Sequence, residues 1–214
     1  MVSIISLFFS PCLIAGESLQ AGLRRERAVD YSIMEYRGVR GFPTDYGVLG
    51  LLLDGPAHGY DLQQRLHAGL GPVWRVAWSQ LYSVLHSLEE KGWVNAATKE
   101  SPSGPPRHMY AITTRGRRAF FEWAVAPVSR LRDVRVEFLA KLYFLRRHQP
   151  EELGPLLERQ SASLKRAMEE LGALGGDPWM ASIASSFRRH QTESALAWIG
   201  EVRRSVEAAG REKR

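Results

Sequence analysis

The sequence predicts a mainly α-helical protein, in which a winged helix-turn-helix domain with a two-stranded wing is followed by an all-helical dimerisation domain. Three observations predict this fold class. A helix with one apolar and one nearly uncharged face is expected at residues 78–91, a Pro- and Gly-rich hairpin follows it, and residues 134–209 show helical periodicity. We expect a weakly ordered extension over residues 1–42, the winged domain over 43–127 and the helical domain over 128–214.

The composition is that of an ordinary folded protein with a basic balance. The 214 residues are 44% hydrophobic and 24% charged, with a net charge of +6. A single cysteine, Cys12, excludes an internal disulfide framework and a cysteine-rich zinc site. The six histidines lack metal-ligand spacing, and the sequence carries no nucleophile elbow or phosphate-cradling glycine loop. We therefore expect no catalytic residues, no metal and no cofactor.

The first residues differ from the rest of the chain. Val2 to Ala15 is apolar but shorter than the roughly 20 residues that span a bilayer, and no Lys or Arg precedes it. A signal peptide and an interfacial anchor are alternatives. We favour a weakly ordered extension with Met34 as a candidate initiator, and we expect a cytoplasmic protein without a membrane partner.

Two short helices are expected ahead of the central one. Residues 46–53 are apolar on nearly all sides, and Thr44 or Asp45 can cap them, which predicts a buried helix. Gly47 and Gly50 inside this helix indicate close helix packing. A second helix is expected from roughly residue 59 to residue 68, after the break at 54–56, with three side chains facing inward: Tyr60, Leu62 and Leu66.

The third helix has two unlike faces. Its predicted inner stripe has three- and four-residue spacing and consists of Trp78, Leu81, Val84, Leu85 and Leu88. Its outer face is polar but uncharged, with Ser79, Gln80, Tyr82, Ser83 and His86. Short neutral hydrogen-bonding groups suit a helix that lies against base edges in the major groove of DNA. A core helix whose outer face merely lacks charge fits these residues equally well. Gly92 is expected to end the helix.

A hairpin is expected after this helix. Residues 93–100 and 107–112 are extended runs, and the Ser-, Gly- and Pro-rich segment 101–106 between them predicts its tip. Lys99 and Arg107 flank the tip, and His108 begins the returning strand. Six cations and one acid lie between residues 91 and 118, Arg115 among the cations. This stripe could meet phosphates or a minor groove; an ordinary solvated loop is the alternative.

The remainder predicts helices. Thr113 or Thr114 is expected to cap a fourth helix that ends near Pro127, and three apolar stripes follow over residues 134–145, 153–174 and 179–206. Helices of this length with apolar seams seldom form a stable domain alone, so we expect a second copy of the chain as partner. An intramolecular helical subdomain is the alternative.

Four separated phrases resemble the PadR family of bacterial transcriptional regulators. They are YGVLGLLLDGPAHGYDLQQRL at 46–66, SQLYSVLHSLEEKGWV at 79–94, PPRHMYAITTRGRRAFFEWA at 105–124 and EFLAKLYFL at 137–145. The resemblance implies a homodimeric regulator, most often a repressor, that binds a roughly palindromic operator. Some relatives release DNA when a small aromatic or hydrophobic compound binds near the dimer interface.

The resemblance also implies where the site lies. It places the recognition helix at 79–91, the wing at 96–110 and Tyr82 at the family's tyrosine position, whereas Ser83 departs from the proline of many members. We expect double-stranded DNA to be bound by Ser79, Gln80, Tyr82, Ser83, His86, Lys99, Arg107, His108 and Arg115. A weaker expectation is that Trp74, Trp123 and Trp198 line an effector pocket. A winged-helix protein-interaction module without DNA binding is the alternative function.

Overall fold

The computed structural model describes residues 43–101, 104–170 and 176–211, with only the backbone described for Pro43 and for residues 99–101 and 104–107. The interpretations of residues 1–42, the candidate initiator Met34 included, lie outside the described residues. So does the end of the second tail stripe, at residues 171–174. Within the described ranges, no helix has both the length and the apolar character needed to cross a membrane.

The described residues form seven α-helices and three short strands, and this confirms the predicted fold class. Two 3-10 helices, Leu131–Arg135 and Pro150–Glu152, precede α5 and α6. The α-helices and strands, in chain order, are α1 (Pro43–Leu52), β1 (Ala57–His58), α2 (Gly59–Leu70), α3 (Trp78–Glu90), β2 (Val94–Ser101), β3 (Gly104–Ile112), α4 (Thr114–Ala124), α5 (Glu137–His148), α6 (Leu153–Glu169) and α7 (Pro178–Arg211).

The strands form an antiparallel sheet in the order β1-β3-β2. The wing is the β2–β3 hairpin, as predicted, and β1 was not predicted; it pairs Ala57 with Tyr110. The returning strand begins at Gly104, so the expected tip at 101–106 was placed too wide. Proline has no N–H to donate to a neighbouring strand, and two features of β3 allow prolines at positions 105 and 106. Beside them β3 lies beyond the reach of β1, and its pairing with β2 is irregular between Lys99 and Ser101.

The ends of α3 and α4 follow local signals in the sequence. Gly92 adopts a φ of +66°, which favours glycine, and the backbone N–H of Trp93 donates to the Leu88 carbonyl at 2.9 Å. The Thr113 side chain accepts a hydrogen bond from Gly116 N at 3.0 Å and caps α4. Asp45 does not cap α1, since the helix begins at Pro43. Its buried carboxylate instead binds Lys91 Nζ at 2.7 Å.

Helix α1 lies at the centre of the molecule, as its apolar sequence predicts. It contacts α2, α3, α4, α5 and β3. A Cβ atom at Gly50 would lie 2.6 Å from ring atoms of Phe144 on α5 and 2.8 Å from Phe120 on α4. A Cβ atom at Gly47 would collide with the ring of Trp74. The predicted close packing at both glycines is confirmed.

The tail helices pack in sequence order behind α1. Phe144 of α5 meets Phe120 edge-on at 5.5 Å, and Gln160 of α6 bonds both backbone groups of Val128. Helix α7 packs along α6, and its buried residues are Thr192 and Ile199. The described residues from Pro43 onward belong to one compact unit. The proposed boundary after residue 127 stays a prediction.

Replacing Gly50 with alanine should destabilise the protein. The added methyl group collides with two aromatic rings that are themselves buried, and overpacking of this kind costs about 1–3 kcal/mol. Urea denaturation followed by circular dichroism measures the change. The matched control is Gly154→Ala in α6, where an added Cβ meets no neighbour within 4 Å. The control should be neutral or stabilising by about 0.4–1 kcal/mol. Equal stability of Gly50→Ala and the wild type would contradict the close packing.

Candidate nucleic-acid interface

Helix α3 separates its faces as the sequence predicts, with one exception. Leu81, Val84, Leu85 and Leu88 are buried. On the other face Ser79, Tyr82, Ser83 and His86 are exposed, and Gln80 is half-buried. This outer face, defined by those five residues, carries no formal charge unless His86 is protonated. The arrangement leaves hydrogen-bonding groups free to meet a partner.

The exception is Trp78, which the sequence analysis placed on the inner stripe. Trp78 is 44% exposed, and its ring stacks on Tyr60 with centroids 5.7 Å apart. Tyr60 was also expected to face inward and is 57% exposed. Both residues lie in the first turn of their helices, α2 and α3. At the end of a helix, fewer neighbouring residues cover a side chain than in its middle. Their aromatic surface therefore adjoins the polar face of α3.

Tyr82 is held against the start of α2. A Cβ atom at Gly59 would lie 2.8 Å from the Tyr82 hydroxyl, so glycine allows the ring to lie across the helix end. No described side chain caps this N-terminus, whose preceding residue is His58. An open cleft of about 530 Å³ lies here and is lined by His58, Gly59, Tyr60, Asp61, Tyr82, His108 and Tyr110. The uncapped N–H groups and the hydroxyls favour an anion such as a DNA phosphate, and the Asp61 carboxylate at the same cleft opposes it.

The base of the wing is fixed to the start of α2. His58 Nδ1 lies 3.0 Å from the backbone oxygen of His108, in addition to the pairing of β1 with β3. Burial raises the pKa of the Tyr110 hydroxyl, and the neighbouring Tyr82 and Glu89 raise it further, so this group remains a neutral donor. The structure therefore brings Tyr82 and His108 together in one cleft.

The basic stripe is partly engaged in ion pairs. Lys91 binds Asp45, and Arg118 Nε donates to Glu122 at 2.8 Å. Lys99 and Arg107 are register partners across the wing, and their side chains lie outside the described atoms. Arg115 is exposed, but it follows Thr113, whose hydroxyl donates to the Gly92 carbonyl at 2.9 Å. Arg115 thus lies near the C-terminal end of α3 and is not brought together with His108 and Tyr82.

Acidic residues occupy only one end of α3. Glu89 and Glu90 are exposed in its last turn, and His86 Nδ1 lies 3.5 Å from Glu90 Oε1. The first half of the helix contains no acid. Because carboxylates repel phosphates, the N-terminal half of α3 is the part that a nucleic acid can approach closely.

The three tryptophans expected to line an effector pocket lie in different places. Trp74 is buried beside Gly47, and Trp198 meets Phe138 edge-on at 6.2 Å. Trp123 stacks on Tyr46 at 4.9 Å and donates from Nε1 to Glu137 Oε1 at 2.8 Å. No cleft found among the described residues is lined by all three, so their shared role stays a prediction.

A buried lysine beside Trp123 was missed by the sequence analysis. Lys141 Nζ binds Glu137 at 2.9 Å and the Ala126 carbonyl at 2.8 Å, and it lies 4.9 Å from the Trp123 ring. Burial lowers the pKa of Lys141 below its usual value, and the Glu137 carboxylate offsets part of this shift. Glu137 and Lys141 stand four residues apart on α5, and that spacing was the available signal.

Comparisons with known proteins place part of this chain in a family. The sequence model of the transcriptional regulator PadR-like family matches residues 48–122, which run from α1 through the wing into α4. The negative transcriptional regulator PadR of Bacillus subtilis is 27% identical over 126 residues, which cover 59% of this chain and 69% of that protein.

Two further proteins are similar over longer stretches. A probable transcriptional regulator of Mycobacterium tuberculosis is 24% identical over 182 residues, covering 76% of this chain and 96% of its own length. The crystal structure of Bacillus subtilis PadR in complex with operator DNA matches 76% of this chain and 98% of that one, at 21% identity and a TM-score of 0.40. Residues 48–122 of this chain are thus similar to the PadR-like family of transcriptional regulators, and the similarity to the two sequence relatives extends beyond them.

Proposed function

We propose that this chain is a homodimeric transcriptional repressor that binds an inverted-repeat operator and is released from it by a small aromatic or hydrophobic compound. The observation that carries the proposal is the outer face of α3. Its inner face is anchored in the core, while four polar side chains of the outer face project from the acid-free N-terminal half of the helix, and His86 follows beside Glu90. Such groups can read base edges in a major groove.

In this proposal, contacts with the DNA phosphate backbone come from the two elements on either side of α3, which are the start of α2 and the wing. The uncapped start of α2 offers N–H groups and the positive end of a helix dipole, both of which favour a phosphate. The wing brings Lys99 and Arg107 to facing positions of the hairpin. In this arrangement α3 enters the major groove by its N-terminal half and the wing follows the adjoining backbone. Half-sites then lie about one turn apart, roughly 34 Å.

The dimer is proposed from the mismatch in length between the last two helices. Helix α7 has 34 residues and α6 has 17, so they extend ~51 Å and ~26 Å at about 1.5 Å per residue. The N-terminal half of α7 exposes an apolar stripe, which includes Trp179 (68% exposed) and Phe187 (61%); Met180 and Ile183 complete it. An exposed stripe of this extent fits an isologous contact with a second copy.

Effector binding is proposed at a cleft beside that stripe. The cleft measures about 640 Å³ and lies between the 3-10 helix Leu131–Arg135 and α7. Leu131, Val134 and Phe187 supply apolar surface, and Arg135 supplies a positive charge. An aromatic compound bound here would touch the proposed dimer contact, and it would act through different affinities for the DNA-bound and free states.

A protein-interaction module remains the second candidate function. Glu89 and Glu90 beside the outer face of α3, together with the ion pairs of Lys91 and Arg118, reduce the attraction of this surface for DNA. A mobility-shift assay with DNA from upstream of the protein's own gene separates the candidates. A regulator shifts this DNA, and an interaction module does not shift it even at low salt.

Replacing Gln80 with alanine should relax operator discrimination by about 1–3 kcal/mol, because an amide that bonds a base edge is lost. Binding to a scrambled duplex should be unchanged, since scrambled DNA is held through its phosphates. Fluorescence anisotropy with both duplexes at one salt concentration measures the two affinities. The control is Ser205→Ala near the end of α7, which is exposed and lies outside the proposed effector cleft. Equal losses on both duplexes for Gln80→Ala would count against base reading by this residue.

Replacing Phe187 with aspartate should convert the dimer to a monomer, because a charge enters the apolar stripe of α7. Operator affinity should fall on the order of 100-fold, since the two heads no longer bind as a linked pair. Sedimentation velocity and anisotropy give the two readouts. Ser182→Asp, on the polar row of the same helix, should leave both unchanged. A dimeric Phe187→Asp protein with full affinity would place the dimer contact elsewhere.

Effector release should be lost in Arg135→Ala while operator affinity is kept. We expect at least one acid in a panel of phenolic and hydrophobic compounds to raise the operator Kd of the wild type about tenfold or more. Its uncharged methyl ester should act less strongly, because Arg135 has no charge to bind. The measurement is operator anisotropy titrated with each compound. A wild type that responds to none of them, or an Arg135→Ala protein that responds fully, contradicts this cleft.

A further inference from the structure

Trp78 and Tyr60 form a stacked aromatic pair at the N-terminal end of α3. Their ring planes are inclined by 22°, and Gln64 Nε2 donates to the Tyr60 hydroxyl at 2.8 Å. That hydrogen bond fixes the Tyr60 ring, and the ring in turn supports the indole. Because Trp78 is nonetheless 44% exposed, the pair presents fixed apolar surface to the outside. Fixed side chains lose little entropy when they bind a partner.

The position of the pair relates it to the outer face of α3. Trp78, Tyr82 and His86 recur at four-residue spacing, and all three are exposed. Trp78 thus extends this row by one turn toward the N-terminus. In helix-turn-helix proteins, N-terminal residues of the recognition helix contact base edges. If α3 enters the major groove as proposed, Trp78 reaches the base pairs.

The chemistry of Trp78 selects its partner. The indole ring is uncharged and gives phosphate no ion pair, and it has a single N–H and no acceptor with which to read a base pair. In the major groove, the apolar group at a base edge is the C5-methyl of thymine. Burial of one methyl group against a ring tightens binding about fourfold.

We propose that Trp78, supported by Tyr60, packs against the C5-methyl of a thymine at one position in each half-site and makes that position selective for a methylated pyrimidine. This inference rests on the proposed operator binding. It adds a specificity-determining residue that the spacing of apolar residues in α3 had assigned to the core.

The test uses the full chain and an operator selected from a randomised duplex pool. Each thymine is replaced singly by deoxyuridine, which removes the methyl group and keeps the base pairing. For the wild type we expect the Kd to rise about fourfold at one position per half-site. At that position, a 5-methylcytosine pair should bind more tightly than the cytosine pair. Trp78→Ala should bind the thymine and deoxyuridine duplexes equally.

Two further variants separate this contact from general damage to the interface. Gln80→Ala should keep the methyl dependence even though it loses discrimination elsewhere, and Tyr60→Ala should weaken the methyl dependence by releasing the indole. A wild type indifferent to deoxyuridine at every position overturns the inference and leaves operator binding standing. Retained methyl dependence in Trp78→Ala does the same. Failure of the wild type to select any sequence overturns operator binding itself, and the inference with it.

Discussion

The close approach of aromatic rings to the two glycines of α1 is the constraint on which the rest of the structure depends. At Gly50 two helices, α4 and α5, reach the α1 backbone through Phe120 and Phe144, and at Gly47 the ring of Trp74 does so. Side chains larger than hydrogen would hold these elements apart. Because α3 also packs on α1, this contact fixes α3 relative to α5, the first helix of the tail.

A second, polar connection joins the same elements. It runs from Lys91 after α3 to Asp45, whose neighbour Tyr46 stacks on Trp123, and Trp123 bonds Glu137 of α5. Lys141 completes the connection from within the core, where an unpaired ammonium would be costly, and its bonds to Glu137 and the Ala126 carbonyl offset that cost. A displacement of α5 would break these contacts unless α1 and the end of α3 moved with it.

Apolar periodicity and capping residues predicted where the helices lie better than they predicted which side chains other elements bury. The inner face of α3, the Thr113 cap and the turn at Gly92 followed from local sequence, because each depends on residues within one or two turns. Strand β1 was missed because a strand of two residues is too short to show the alternation of apolar and polar residues. Trp78 was misplaced because helical spacing gives the side of the helix on which a residue lies, and whether another element covers that side depends on distant parts of the chain.

The separation of two heads in the proposed dimer is decided in the tail. Helix α3 packs on α1, and α1 packs on α5. Helices α6 and α7 follow α5 in the chain. The buried residues of α7, Thr192 and Ile199, both lie C-terminal to the uncovered stripe, which runs from Trp179 to Phe187. If two copies join through that stripe, the angle at which the α7 helices cross sets the distance between the recognition helices. The cleft beside Phe187 borders that stripe, so in such a dimer a compound bound there would change half-site spacing without touching DNA.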